Sequence, residues 1–443
     1  MTVLLLILCV VLIVLLTTRL NVHPFISLLL ASLAYGFLAG MSLETIVGSI
    51  NEGFGGTLEK IGLIIVFGII IGTFLENSGA AYTLADRVLK CIGKKRVTPA
   101  MGIIGYFISI PVFADSAFLL VSPLNKSLSK KAGISLAGSA VALGLGLTAT
   151  HTMVPPTPGP VAASGILEAD IGLVMMLGIP ISALALIPGI LFAIWYASRT
   201  WIDPNPGAEA SEIAERLESA PGALRSSLPV VVPILLIVLK SIGINSGIAA
   251  DSHLRALLSF VGEPAIALFI GAFLALALPK KLSSEMLSSR GWIGTSLKDA
   301  ASILIITGAG GAFGKILQNS GIADTMGDTL VGLRAGILLP FVLAAAIKTA
   351  QGSSTVAMIT AASILAPMMD SLGFVTETER ALAVVALGAG SAVVSHANDS
   401  FFWVVTQMTG MTVKTGYRIF TSGTLVLGVS AALIVLIGSL ILT

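Results

Sequence analysis

Charged residues are scarce in this chain, and the shortage excludes most of what a protein of 443 residues ordinarily does. Asp, Glu, Lys and Arg make up 11% of it, against roughly 25% in a soluble domain. Hydrophobic residues reach 55% and the mean hydropathy is +0.99, so the chain has too little polar surface to face water and reads as a polytopic membrane protein. A net charge of +2, spread over short basic clusters, gives nucleic acid nothing to bind. Cysteine is nearly absent. Cys9 and Cys91 are read as free thiols, since two residues build no disulfide framework. Neither an HExxH nor a GxGD constellation occurs, which argues against an intramembrane enzyme. The glycine run at 308–314, GAGGAFG, lacks the Lys-Ser/Thr ending of a P-loop and follows no strand, so it reads as helix packing through small residues. No basic residue precedes the apolar run at 2–18 and Arg19 follows it, so a retained first membrane helix is expected in place of a signal peptide.

What the chain does have is proline in an unusual place. Residues 151–160 read HTMVPPTPGP between two long apolar segments. Pro155, Pro156, Pro158 and Pro160 lack an N–H, and each disfavours helical dihedrals in the residue before it, so an unwound run is predicted. Unwound backbone at membrane depth is viable only where protein buries it or where it lines a wet cavity. The run is therefore expected to form half of a substrate site.

Read in order against the ~20 apolar residues that cross a bilayer, the chain gives crossings at 2–18, 24–40 and 60–76, then an amphipathic, interfacial helix at 78–96. Two short apolar arms, 99–113 and 117–124, flank Asp115 and Ser116 and have basic clusters at their far ends. They read as a re-entrant hairpin with Asp115-Ser116 at its tip; a single helix with a buried Asp is the other reading. A broken crossing at 133–169 and a crossing at 171–197 follow, then a solvated linker with four glutamates, then crossings at 229–244 and 262–279.

The pattern then restarts. Residues 72–86, GTFLENSGAAYTLAD, match 314–328, GKILQNSGIADTMGD, at eight of fifteen positions, and VALGLG at 141–146 has its counterpart in VALGAG at 385–390. The second copy supplies its own hairpin, with Gln351, Gly352, Ser353 and Ser354 at the tip, and its own break, SHANDSFFW at 395–403. Charge sets the orientation: one choice of inside loops collects 18 of the 25 Lys and Arg. The copies are then inverted, with about ten crossings, two hairpins and both termini outside. The fold class expected is all-α, with inverted repeats, two re-entrant hairpins and two broken transmembrane helices. The units are 1–58 (N-terminal pair), 59–197 (first repeat), 198–228 (linker), 229–299 (connecting helices) and 300–443 (second repeat).

Inverted repeats with discontinuous helices put a site near the midplane, where half-helix N-termini offer N–H groups and a positive dipole end to an anion. Ser353, Ser354 and Thr355 suit both capping and carboxylate binding. A charge at the bilayer centre costs ~2.5 to 3.5 kcal/mol on insertion scales, so Asp115, Lys348 and Asp399 are functional candidates. Asp399 is read as a carrier of a proton or a holder of sodium, and Lys348 as a charge partner of Asp115 or of an anionic substrate, or as a snorkelling residue. His151 and His396 are either proton relays or histidines bonded to a carbonyl. The expected substrate contacts are Asp115, Ser116, Thr152, Thr157, Gly159, Gln351, Gly352, Ser353, Ser354, Thr355 and Asn398, with His151, His396 and Asp399 for ion coupling. No metal or cofactor is expected.

HTMVPPTPGP, GAGGAF, GSSTVAMIT and SHANDSFFW together resemble the gluconate permease (GntP) family of the ion transporter superfamily along nearly the whole chain. The resemblance implies proton-coupled uptake of gluconate or related hydroxy acids, or of D-serine in one branch. It also implies paired hairpins, an elevator-like movement, a bacterial inner-membrane location and often a homodimer. Thr157 and Asp115-Ser116 stand where gluconate-type members usually have a histidine and a glutamate, which points to a small hydroxy-carboxylate more generally. A sodium-coupled carrier of the same fold is the alternative, and a channel is the reading from another class.

Overall fold

The computed structural model describes residues 2–92, 96–204, 220–245, 253–322 and 336–442, and all regular structure among them is helical. Most of the solvated linker, part of the basic cluster after 92 and the end of the second repeat copy lie outside the described residues. Among the described residues, six helical stretches are long and apolar enough to cross a membrane, and a seventh is a pair bent by 64°. The other three of the ten crossings expected from sequence fall on helices shorter than 18 residues. Exposed Leu4, Ile7 and Leu8 near one terminus and Leu433 and Ile437 near the other lie on outward faces that only lipid would solvate.

Helices α1 (Thr2–Thr18) and α2 (Pro24–Leu38) lead to α3 (Leu43–Asn77), which Ser42 caps by accepting from Thr45 N. At 35 residues α3 is about 52 Å long. It is much longer than the apolar stretch at 60–76 suggests, because its first half carries Asn51, Glu52, Glu59 and Lys60 and gives no hydropathy signal. The boundary drawn at 58/59 therefore falls inside a helix. α4 (Ala80–Ile92) is amphipathic, burying Tyr82 and Ala85 and exposing the Asp86–Lys90 pair. α5 (Val97–Ile108) and α6 (Ala114–Ala132) are joined by residues 109–113. Asp115 and Ser116 thus sit in the first turn of α6, just past the tip where the sequence put them, because Pro111 breaks the chain earlier.

α7 (Leu136–Met153) is buried on every side. The run expected to be unwound over 151–160 is narrower: only Val154–Thr157 leave the helix, and α8 (Pro158–Leu167) starts with proline at its first position. Proline is tolerated there because the first N–H groups of a helix lack partners anyway. α9 (Ile171–Trp195), α10 (Ala223–Asn245), and the bent pair α11 (His253–Val261) and α12 (Pro264–Ala275) follow. α13 (Trp292–Asn319) crosses α3 so closely that a Cβ on Gly53 would lie 2.4 Å from Gly311 O. Small residues permit that approach. The boundary at 299/300 also falls inside this helix.

α14 (Leu338–Gln351), α15 (Ser354–Leu365), α16 (Glu377–Ala392), α17 (Ser400–Thr409) and α18 (Ser422–Leu442) complete the chain. Thr376 and Glu379 start α16 with a reciprocal capping box, the T-x-x-E signal of a helix N-terminus. Between α16 and α17 the chain is non-helical over 393–399, so Phe401–Trp403 belong to a helix and not to the break. α3 and α13 end alike, in Asn-Ser-Gly with Gly79 at φ 77° and Gly321 at φ 73°. α5 packs on α7 as α14 packs on α16, and α8 packs on α15.

Candidate substrate cavity

Three helices begin at one interior cavity of about 440 Å³. Ala114, Ser354 and Ser400, the first residues of α6, α15 and α17, all line it. Each helix start carries unpaired first-turn N–H groups and the positive end of a dipole. Two of the starts are capped by side chains: Ser353 accepts from Val356 N at 3.3 Å, and Asp399 accepts from Phe401 N at 3.1 Å. Phe113, at the N-cap of α6, supplies no such bond. The arrangement suits an anion, which the free N–H groups would meet without reorganising.

A buried ion pair crosses the cavity wall. Lys348 Nζ, near the C-terminal end of α14, lies 2.7 Å from Asp399 Oδ2, with side chains only 2% and 9% exposed, and also donates to Gly352 O. Ser395 donates to the same Asp399 oxygen at 2.5 Å. Both oxygens of Asp399 are therefore occupied, and its charge is matched. Asp115 differs. Among the described residues, three buried side-chain atoms have no hydrogen-bond partner: Asp115 Oδ1, His151 Nδ1 and Thr360 Oγ1. The first two belong to residues lining this cavity.

Of the residues singled out in the sequence, Asp115, His151, Thr152, Lys348, Gln351, Ser353, Ser354, Thr355, Asn398 and Asp399 meet at the cavity. Ser116, Thr157, Gly159, Gly352 and His396 do not line it. Thr157 turns its hydroxyl to Val154 O at 2.6 Å and stays inside the break. Gly159 packs on α15, where a Cβ would come within 3.0 Å of Met358 Sδ. Gly352 backs onto Asn398, and Ser116 lies one residue beyond the lining part of α6. His396 places Nε2 2.8 Å from Thr349 O and stacks on Tyr417, so it holds the end of α14 in place. Asn398 does likewise through Thr349 O and Ala350 O, while also reaching the cavity. The lining residues that sequence reasoning missed are mostly apolar: Phe113, Ile303, Ile306, Ile359 and Phe401 among them.

The GntP family permease model matches residues 1–441. The chain belongs to the GntP permease family. This GntP permease is 34% identical to a gluconate permease of Pseudomonas aeruginosa over 97% of its own length and 95% of the relative's. It is 34% identical to the D-serine transporter DsdX of Escherichia coli K12, over 96% and 95% of the two chains. A crystal structure of the YdaH transporter of Alcanivorax borkumensis shares its fold, with a TM-score of 0.62 at 15% identity, covering 93% of this chain and 97% of that one. This GntP permease is accordingly an integral inner membrane transporter and not an enzyme.

A second cavity of the GntP permease, about 400 Å³, lies farther toward the C-terminal end of α13, between it, α3, the end of α8 and the residues that follow α15. Its charges are balanced: Lys60 meets Glu168 at 2.5 Å, Lys315 meets Glu52 at 2.7 Å, and Arg380 meets Asp370 at 2.8 Å while also donating to Leu167 O at the end of α8. The Lys60 ammonium bonded to Glu168 holds that carboxyl below the usual carboxylate range. A depressed folded-state pKa contributes stability that is present above the unfolded value of ~4.3 and is lost as pH falls through the folded value. Glu168 is 64% exposed, so solvent screens the pair and its worth is about 0.2–1 kcal/mol. Glu168→Gln should therefore leave thermal unfolding in detergent nearly unchanged at neutral pH and flatten only the acid limb; a large neutral-pH loss would show the pair to be better shielded than its exposure indicates.

Proposed function

We propose that the permease is a secondary symporter that carries gluconate or a related small hydroxy-carboxylate together with a proton. The carrying observation is the single cavity at which three helix N-termini meet beside the Lys348–Asp399 pair. N–H groups and a nearby ammonium favour a carboxylate, and the hydroxyls of Thr148, Thr152, Ser354 and Thr355 offer partners to a polyhydroxylated chain. A volume of about 440 Å³ falls within the ~300–1,000 Å³ of small-molecule sites. The P. aeruginosa relative is named a gluconate permease, and the DsdX relative makes D-serine the second reading.

The architecture we propose for this transport is a pair of inverted repeats, each with a re-entrant hairpin (α5–α6 and α14–α15) and a broken helix (α7–α8 and α16–α17). The matching Asn-Ser-Gly ends of α3 and α13 support it, as do the lengths of α5, α14 and α15, which are 12, 14 and 12 residues and short of the ~17 needed to span. The movement is elevator-like, with α3 and α13 as the fixed frame. The seam between the frame and the moving elements is built of small residues: a Cβ on Gly68 would lie 3.2 Å from Pro156 O in the first break, and one on Gly72 would lie 2.3 Å from Pro111 O in the first hairpin. Such a seam has few protruding side chains to unlock when one body slides on the other.

Proteoliposomes test the reading. An inward proton gradient should drive accumulation of labelled gluconate, and excess unlabelled gluconate inside should drive counterflow. Accumulation that needs sodium at fixed pH selects a sodium-coupled carrier, preference for D-serine selects the second reading, and non-saturating flux without counterflow selects a channel. If no tested hydroxy acid, sugar acid or D-serine accumulates, the symport reading is lost.

A further inference from the structure

We infer that the coupling proton is carried by Asp115, while Asp399 stays ionised against Lys348. The inference rests on the proton-coupled hydroxy-carboxylate reading and assigns it a residue. The charged and titratable groups facing Asp115 are Lys348 on α14, Asp399 at the cap of α17 and His151 on α7.

Two carboxylates share the cavity and their environments differ. Asp399 accepts three hydrogen bonds, from Lys348, Ser395 and Phe401 N, and caps a helix. A proton added there would have to dismantle a buried ion pair and leave Lys348 uncompensated, which is strongly unfavourable. Asp115 meets no such obstacle. Its Oδ1 is buried with no donor, an arrangement that disfavours the charged form and that a proton relieves.

Charge count then links that proton to the substrate. With His151 neutral, Asp115, Asp399 and Lys348 sum to one negative charge. A carboxylate entering the cavity makes two, and like charges at close range repel, the more so the less water screens them. If a proton from the aqueous phase adds to Oδ1 of Asp115, the carboxylate becomes a neutral acid and the loaded cavity returns to one negative charge. When the site opens to the other side the substrate leaves, the O–H bond of the acid breaks, and the proton passes to water. Neither an empty protonated site nor a loaded deprotonated one keeps that charge, so proton and substrate travel together.

The test is proton-linked gluconate binding to the full-length protein in detergent, followed by calorimetry in buffers of different ionisation enthalpy. Wild type should take up a proton on binding, with affinity falling about tenfold per pH unit once Asp115 is deprotonated in the free protein. Asp115→Asn should bind gluconate with no proton uptake and no such slope, and Asp115→Glu should restore both. Proton uptake persisting in Asp115→Asn overturns the assignment and leaves the symport reading intact. Wild type that binds none of gluconate, other small hydroxy acids and D-serine, or binds its substrate without a proton, overturns the proton-symport reading and the assignment with it, before any variant is made. Should Asp115→Asn fail to fold or to bind, infrared difference spectra decide: a carboxylic-acid C=O band appearing with gluconate in wild type should move in Asp115→Glu, and a band that stays in place assigns the proton elsewhere.

Discussion

Lys348→Met is expected to cost about 3–5 kcal/mol of stability and to abolish gluconate uptake. The figure is that for breaking one side of a buried ion pair, because the remaining Asp399 is left buried in a site it cannot leave with no partner for its charge. Its side chain is 9% exposed, and the bonds from Ser395 and Phe401 N do not neutralise it. Replacing both partners should be milder. Lys348→Met with Asp399→Leu removes the charges together, so most of the lost stability should return while transport does not, since the cavity has lost its ammonium and the side-chain cap of α17. Thermal unfolding in detergent and uptake in proteoliposomes read the two effects separately. A single variant that melts like wild type would show that the pair is not the buried contact described here.

Gly352→Ala is the second large effect. Gly352 joins α14 to α15 at φ 94°, where an L side chain is strained, and a Cβ there would lie 2.0 Å from Asn398 O and 2.6 Å from its carbonyl carbon. The obstacle is backbone, so it cannot rotate away, and Asn398 is itself bound to Thr349 O and Ala350 O at the end of α14. Positive-φ strain and overpacking together predict a loss of about 2–5 kcal/mol. Because Lys348 also donates to Gly352 O, the ion pair should shift with the turn. Uptake should fall at least as far as stability. Gly56→Ala is the control: Gly56 is helical, faces the second cavity and has nothing within 4 Å of an added Cβ, so it should gain about 0.5–1 kcal/mol. Equal effects of the two substitutions would remove the turn from the account.

How much of this was legible in the sequence depended on contrast. Asp115, Lys348 and Asp399 stood out because a charge in apolar surroundings needs a reason, and the cavity gathers all three. The prolines announced a break, but they overstated its length, since Pro158 and Pro160 are also compatible with the first turn of a helix. Ile303, Ile306, Ile359 and Phe401 were invisible as lining residues for the opposite reason: in a chain that is 55% hydrophobic, an isoleucine facing a cavity looks like one facing lipid. His396 had two readings, proton relay or a ring bonded to a carbonyl, and its place at Thr349 O and Tyr417 is the second arrangement. α11 was missed because it is amphipathic, with a polar side that dilutes mean hydropathy, and the first half of α3 was missed for a similar reason.

The prolines that open α8 make the two breaks chemically unequal, although the sequence presents them as counterparts. Pro158 and Pro160 remove two of the three N–H groups that the first turn of α8 would otherwise leave free, while α17 starts with Ser400, Phe401 and Phe402, which all carry an N–H, that of Phe401 already bonded to the Asp399 cap. Only one of the paired breaks is thus a strong anion receptor. Asp115, a carboxylate, lines the same cavity as that receptor's Lys348, so the cavity carries charges of both signs. A molecule with a carboxylate at one terminus and a hydroxyl at the other meets unlike partners in Lys348 and Asp115, which favours one direction of binding, while telling its mirror images apart takes at least one further contact.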